Sequence, residues 1–240
     1  MRVIVCENYD EMSKAAAKLI EGLVTLKPNA ILGLATGSTP VGMYKILSEK
    51  CKAGELDFSN VTSYNLDEYY PISPDNDQSY RYFMNENLFN HINIDKSRTF
   101  VPNGEAKDVE KECKEYDAMI DALGGADIQV LGIGNNGHIA FNEPDAELVA
   151  GTHVTGLTQS TIQANSRFFA SIDDVPTKAL TMGMAYIMKA KKIMLLASGK
   201  GKHEVVKKLL DDKITTSNPA TLLKLHNDVV IICDKEAYEG

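Results

Sequence analysis

The run DIQVLGI at 127–133 is the feature that most limits how this chain can fold. It is continuously apolar over strand length, as expected of a β-strand buried on both faces, and a glycine-rich stretch follows it at once. Other strand-like runs fall at 3–7, 30–34, 61–66, 179–184, 193–197 and 229–233. Helix-like stretches lie between them at 9–26, from Thr39-Pro40 onward, and at 78–89, 109–123, 201–210 and 219–226. In 9–26, Met12, Ala16, Leu19, Ile20 and Leu23 recur at helical spacing. Thr39 before Pro40 reads as a capping hydroxyl with proline at the first helical position, and Ser217 as the cap of 219–226. Strand and helix in turn predict an α/β fold, a three-layer α/β/α Rossmann-like sandwich around a mostly parallel sheet. No repeat or linker-like break divides it, so residues 1–240 read as one domain.

Ligands of such sheets sit beyond the carboxyl ends of the strands, so the loops there carry the functional reading. The net charge of -8 argues against nucleic acid or an anionic membrane as partner. The 4 cysteines, Cys6, Cys51, Cys113 and Cys233, have no C-x-x-C spacing, so neither a zinc site nor a redox motif is indicated. The N-terminal residues lack a secretory layout, and no apolar run approaches the ~20 residues needed to span a bilayer, which predicts a cytoplasmic protein.

Five loops stand out. GLATGSTP at 33–40 joins a strand to a helix. Its small residues let backbone N–H groups approach an anion, and Thr36, Ser38 and Thr39 add hydroxyls; a tight βα turn with a good cap has the same composition. In NLDEYY at 65–70, Asp67 and Glu68 are either a general base at the mouth of the sheet or a solvated, helix-capping pair. GIGNNGHIAFNEP at 132–144 opens as G-x-G-x-x-G, but Pro144 stops any long helix, which rules against a dinucleotide site. What remains is a loop presenting His138, with Glu143 five residues on as a carboxylate partner. A metal pair is the rival, but the spacing lacks the helical i, i+4 of zinc ligands and no third ligand is evident. ANSRFF at 164–169 holds Arg167, suited to a phosphate or to a surface ion pair. SGKGKH at 198–203 places Lys200 and Lys202 at a helix start, which an anion would favour. Four strand-end loops thus offer phosphate donors, a carboxylate, a His–Glu pair and a lysine, and one sugar-phosphate site explains their shared edge economically.

Together these motifs, in this order and spacing, resemble the glucosamine-6-phosphate deaminase family of glucosamine/galactosamine-6-phosphate isomerases, in its short non-allosteric bacterial form. The resemblance runs over the whole chain. It implies isomerisation and hydrolytic deamination of glucosamine 6-phosphate to fructose 6-phosphate and ammonia, without a cofactor or metal. It implies Asp67 as the base for the C2 proton, and His138 as the ring-opening acid/base with Glu143 and Asn136 beside it. Thr36, Gly37, Ser38, Thr39, Glu68, Gly137, Arg167 and Lys202 would bind substrate and its phosphate, Lys202 being a better match than Lys200, and 157–178 would form a mobile lid. Many members carry aspartate where this chain has Asn136. His153 and Thr155 stand where allosteric members carry basic residues, and the chain stops at Gly240 without their extra tail. These departures imply no N-acetylglucosamine 6-phosphate activation and a monomer or small homo-oligomer. The alternatives are 6-phosphogluconolactone hydrolysis, deamination of galactosamine 6-phosphate, and, more distantly, a non-enzymatic sugar-phosphate sensor.

Overall fold

The apolar runs pair as a seven-stranded sheet in which every neighbouring pair is parallel. The computed structural model describes residues 1–240 except 167, 168, 170, 173 and 174 and the side chains of 160, 164 and 165. In chain order the elements are β1 (Arg2–Cys6), α1 (Tyr9–Leu26), β2 (Ile31–Leu34), α2 (Val41–Lys52), β3 (Thr62–Asn65), β4 (Asp67–Tyr70), α3 (Tyr80–Asn87), β5 (Thr99–Phe100) and α4 (Val109–Leu123). They continue with β6 (Ile128–Leu131), β7 (His153–Gly156), α5 (Gln159–Asn165), β8 (Lys178–Thr181), α6 (Met184–Ile187), β9 (Ile193–Ala197), α7 (His203–Leu210), β10 (Val229–Asp234) and α8 (Lys235–Glu239). The main sheet runs β1-β10-β9-β6-β2-β3-β5. Every residue of β3, β6, β9 and β10 is buried, so both faces of the central strands are covered.

Local chemistry sets the helix ends. Asn8 caps α1 by accepting from Glu11 N at 3.0 Å, a contact of ~1 kcal/mol. β6 pairs parallel with β9, Val130 opposite Met194 and Leu131 opposite Leu195, just before the glycine loop. The chain moves outward from β2 to β3 and β5, then returns to the other side of β2 with β6. The order reverses there, so the loops after β2 and β6 splay apart and leave a crevice.

Several elements differ from what the sequence predicts. Residues 179–184 do not add to the parallel sheet: β8 pairs antiparallel with β4 and β7 in a second, three-stranded sheet. Asp67 and Glu68 are not in a loop but form the start of β4. Pro40 is itself the N-cap of α2 and no side chain caps that end, so Thr39 does not serve there. The segment 219–225 is a 3-10 helix preceded by Asn218, and Ser217 does not cap it. Residues 78–89 shorten to α3, capped by Ser79, with a single 3-10 turn after it. No helix among the described residues is long and apolar enough to cross a membrane.

Candidate active site

A cleft of about 990 Å³ opens at the crevice beyond β2 and β6. Thr36, Gly37, Ser38, Thr39, Asp67, Asn136, His138 and Lys202 all line it. Lys200 is exposed and outside the lining. Arg167 and the middle of the lid expected over 157–178 lie outside the described residues.

The loop after β2 turns at Gly37, whose φ of 90° suits glycine. The α1 side chain Tyr9 braces this loop: its hydroxyl donates to Ser38 O at 3.1 Å and accepts from Gly42 N at 2.8 Å. Across the cleft, Lys202 Nζ donates to Ile133 O at 2.8 Å and to Asn135 Oδ1 at 2.7 Å, tying the loop after β9 to the loop after β6. Ser198 and Gly199, earlier in that loop, donate to the buried carboxylate of Asp234, which also caps α8.

Asp67 and its neighbour Glu68 face opposite ways, as successive strand residues must. Asp67 opens on the cleft yet is only 6% exposed. Tyr69, Tyr80 and Phe141 pack nearby, with Tyr69 and Tyr80 ring centroids 4.7 Å apart and Tyr80 and Phe141 stacked at 6.2 Å. Burial pushes the Asp67 carboxyl up to about 8, and the Glu68 charge adds to that rise. Glu68 is absent from the cleft lining. It accepts from Tyr69 N at 2.9 Å, Tyr80 N at 2.8 Å and Arg81 N at 3.0 Å, and so holds the first turn of α3. Burial pushes Glu68 up to about 7, against the pull of those donors.

The loop after β6 forms a set of turns rather than a helix. Gly134 N donates to His138 O at 2.9 Å, and Gly137 N to Gly134 O at 2.9 Å. Gly137 takes φ 90° and is packed against Asn218, where a Cβ would fall 2.1 Å from Asn218 Oδ1; it is not part of the cleft wall. His138 Nδ1 lies 3.2 Å from Glu143 Oε2, and Asn136 Nδ2 donates to the same oxygen at 2.6 Å. Burial alone would raise the Glu143 carboxyl; the hydrogen bond and charge of His138, with Thr161 and Asn136, overcome it and pull the group down to about 2. Glu143 is therefore ionised near neutral pH and accepts only. Nδ1 must then donate, and Nε2 of a neutral ring is left as acceptor.

Three further residues shape this corner and were missed in the sequence. A Cβ on Gly134 would stand 2.4 Å from both Nε2 and Cε1 of His138, so only glycine leaves that edge uncovered. Asn142 Nδ2 donates to Ile139 O at 3.0 Å and Met182 O at 2.8 Å, which anchors the loop to the end of β8. Thr181 Oγ1 accepts from Phe141 N at 2.9 Å. Gly134 was visible only as one glycine of a pattern, and Asn142 as a motif position; nothing local marks Thr181. Among the described residues no three His, Cys, Asp or Glu side chains converge as a metal site.

A parallel α/β sheet with a hydroxyl and glycine loop at its switch point, a buried carboxylate and a His–carboxylate pair fits a sugar-phosphate enzyme. The chain belongs to the glucosamine-6-phosphate isomerase/6-phosphogluconolactonase family, whose model matches residues 7–232. It is 63% identical over 237 residues to a glucosamine-6-phosphate deaminase of Clostridium perfringens, covering 99% of this chain and 98% of that one. It is 57% identical to a glucosamine-6-phosphate deaminase of Clostridioides difficile, covering 99% and 95%. A solved monomeric glucosamine-6-phosphate deaminase superposes with TM-score 0.97 at 49% identity, covering 99% and 98%. A 6-phosphogluconolactonase of Thermotoga maritima at 20% identity shares the fold, with TM-score 0.78 over 97% and 98%.

Proposed function

We propose that the chain converts glucosamine 6-phosphate and water to fructose 6-phosphate and ammonia, acting as a cytoplasmic monomer or small homo-oligomer with residues 1–240 as one catalytic domain. The observation that carries this reading is the shared cleft. A carboxylate of raised proton affinity and a histidine of fixed tautomer open on the same space as the 36–39 loop.

His138 Nε2 takes the anomeric hydroxyl proton and delivers it to the ring oxygen as the bond from C1 to that oxygen breaks, giving the open-chain aldehyde. That carbonyl acidifies the C2 proton. Asp67, deprotonated, removes it; the C2–H pair forms the C1–C2 double bond and the carbonyl pair moves to O1, which takes up a proton, giving an enolamine. Return of the proton to C1 leaves an imine at C2. Water adds to the imine and ammonia leaves, with fructose 6-phosphate as product. Each general acid–base step contributes on the order of 10² to 10⁴ in rate. The backbone and hydroxyls of Thr36, Ser38 and Thr39, with Lys202 and Arg167, hold the phosphate, so that binding energy remote from C2 fixes C2 against Asp67. Supporting this, Lys202 lines the cleft and is held there by its bonds to Ile133 O and Asn135 Oδ1.

The test is ammonia release from glucosamine 6-phosphate, run beside galactosamine 6-phosphate and 6-phosphogluconolactone. Ammonia release from the first, no lactone hydrolysis, and no stimulation by N-acetylglucosamine 6-phosphate are expected. Lactone hydrolysis without ammonia release would replace this reading with the lactonase one.

A further inference from the structure

Glu143 is met from two sides. Its Oε2 takes His138 and Asn136, while its Oε1 faces α5. The Thr161 hydroxyl donates to Oε1 at 2.5 Å, the length of a strong charge-assisted bond. The Thr158 hydroxyl lies 3.4 Å from the same oxygen and 3.0 Å from Thr161 Oγ1. Thr158 is also the N-cap of α5, accepting from Thr161 N at 3.3 Å. Thr161 is 5% exposed and lines the cleft. The cap of α5, the Thr161 hydroxyl, Glu143 and the His138 ring therefore form one continuous chain of hydrogen bonds.

We infer that Thr161 is a positioning residue for the reaction: it fixes the second oxygen of Glu143, and through Glu143 it holds the tautomer and orientation of His138. This rests on the role assigned to His138 above. Glu143 has only 10% of its side chain exposed, so an oxygen without the Thr161 donor has little water to replace it. The carboxylate then gains by turning toward other donors, and the bond to Nδ1, at 3.2 Å the longest of its contacts to His138, Asn136 and Thr161, is the first to suffer. His138 without a fixed partner samples both tautomers, and only one leaves Nε2 able to take the anomeric proton. Coupling through α5 also makes ring opening sensitive to where that helix sits, although α5 supplies no proton.

The experiment compares Thr161→Val, Thr161→Ser and His138→Ala with the parent, using glucosamine 6-phosphate turnover and binding of an open-chain amino-hexitol 6-phosphate, which cannot close a ring. Valine keeps the shape and removes the donor; serine restores the donor. Thr161→Val is predicted to lower kcat about tenfold or more, with KM and hexitol affinity within about threefold of the parent. Thr161→Ser recovers most of the loss. The ¹⁵N signals of the His138 ring should shift from one tautomer toward a mixture in the valine variant only. Parent-like kcat in Thr161→Val overturns the inference, as does a loss that serine fails to recover or that hexitol affinity follows. A fall in Tm with unchanged kcat and ¹⁵N signals assigns Thr161 to helix capping alone and also overturns it. Parent-like turnover in His138→Ala instead removes the role of His138, which separates failure of the site reading from failure of the inference.

Discussion

Asn136 donates its side-chain amide to Glu143 Oε2 at 2.6 Å, the same oxygen that meets the His138 ring. Its own Oδ1 accepts from His138 N at 3.2 Å. A neutral amide thus braces both members of the pair. An aspartate at this position has no hydrogen to give, so two carboxylates at this distance must share a proton or separate. Asn136→Asp is predicted to keep the fold and to add a new ionisation to the kcat–pH profile between about pH 5 and 8, with the enzyme slower on the alkaline side of it. A profile superimposable on the parent's over that range removes the amide bond from the account.

Gly134 makes a prediction that depends only on shape. A methyl group there needs space held by the His138 ring, with 2.4 Å to Nε2. Gly134→Ala is expected to turn the ring aside and cut kcat about tenfold or more, while leaving Tm within a few degrees of the parent. Unchanged kcat would show that the ring edge is not used.

Lys202 tests the phosphate end. It donates to Ile133 O and Asn135 Oδ1 at the cleft. Lys202→Met is predicted to raise KM for the phosphorylated sugar about tenfold with kcat changed less, and to weaken competition by inorganic phosphate. Equal inhibition of parent and variant by phosphate would place the anion elsewhere.

The titrating carboxylates give stability a pH dependence of stated sign. Glu143, held down to about 2, contributes stability that is present above its unfolded value near 4.5 and lost as pH falls from there toward 2. Asp67, raised from 3.8 to about 8, works the other way: the folded state binds the proton more tightly, so stability declines as pH climbs from about 4 to 8. Thermal melts of the parent should therefore lose Tm from pH 5 to pH 8, and Asp67→Asn should flatten that decline and melt higher than the parent at pH 8. Parallel melting curves for the two across this range would contradict the buried state of Asp67.

Much of this architecture was legible because burial on two faces writes a continuous apolar run. The run 127–133 and the glycines after it located β6 and the His138 loop from composition alone. The second sheet was not legible for the opposite reason. β4 and β7 read DEYY and HVTG, four residues each with polar or charged members, and only pairing makes them strands, while the strand read at 179–184 gives no local sign that it pairs outside the main sheet. Missing β4 also hid the split between Asp67 and Glu68, since strand alternation is what sends one to the cleft and the other to α3. The reach of Thr161 to Glu143 joins residues 18 apart through a helix cap, a contact no local pattern encodes. Tyr9, bracing Ser38 from 29 residues away, is of the same kind.

The claim on which the chemistry turns is that Asp67 takes the C2 proton. Glucosamine 6-phosphate carrying deuterium at C2, given to the parent and to Asp67→Asn, reads that step directly. The predicted result is a primary isotope effect on ammonia release by the parent, and turnover lower by about 10² or more in Asp67→Asn with substrate affinity kept. Asp67→Asn releasing ammonia near the parent's rate would contradict the account.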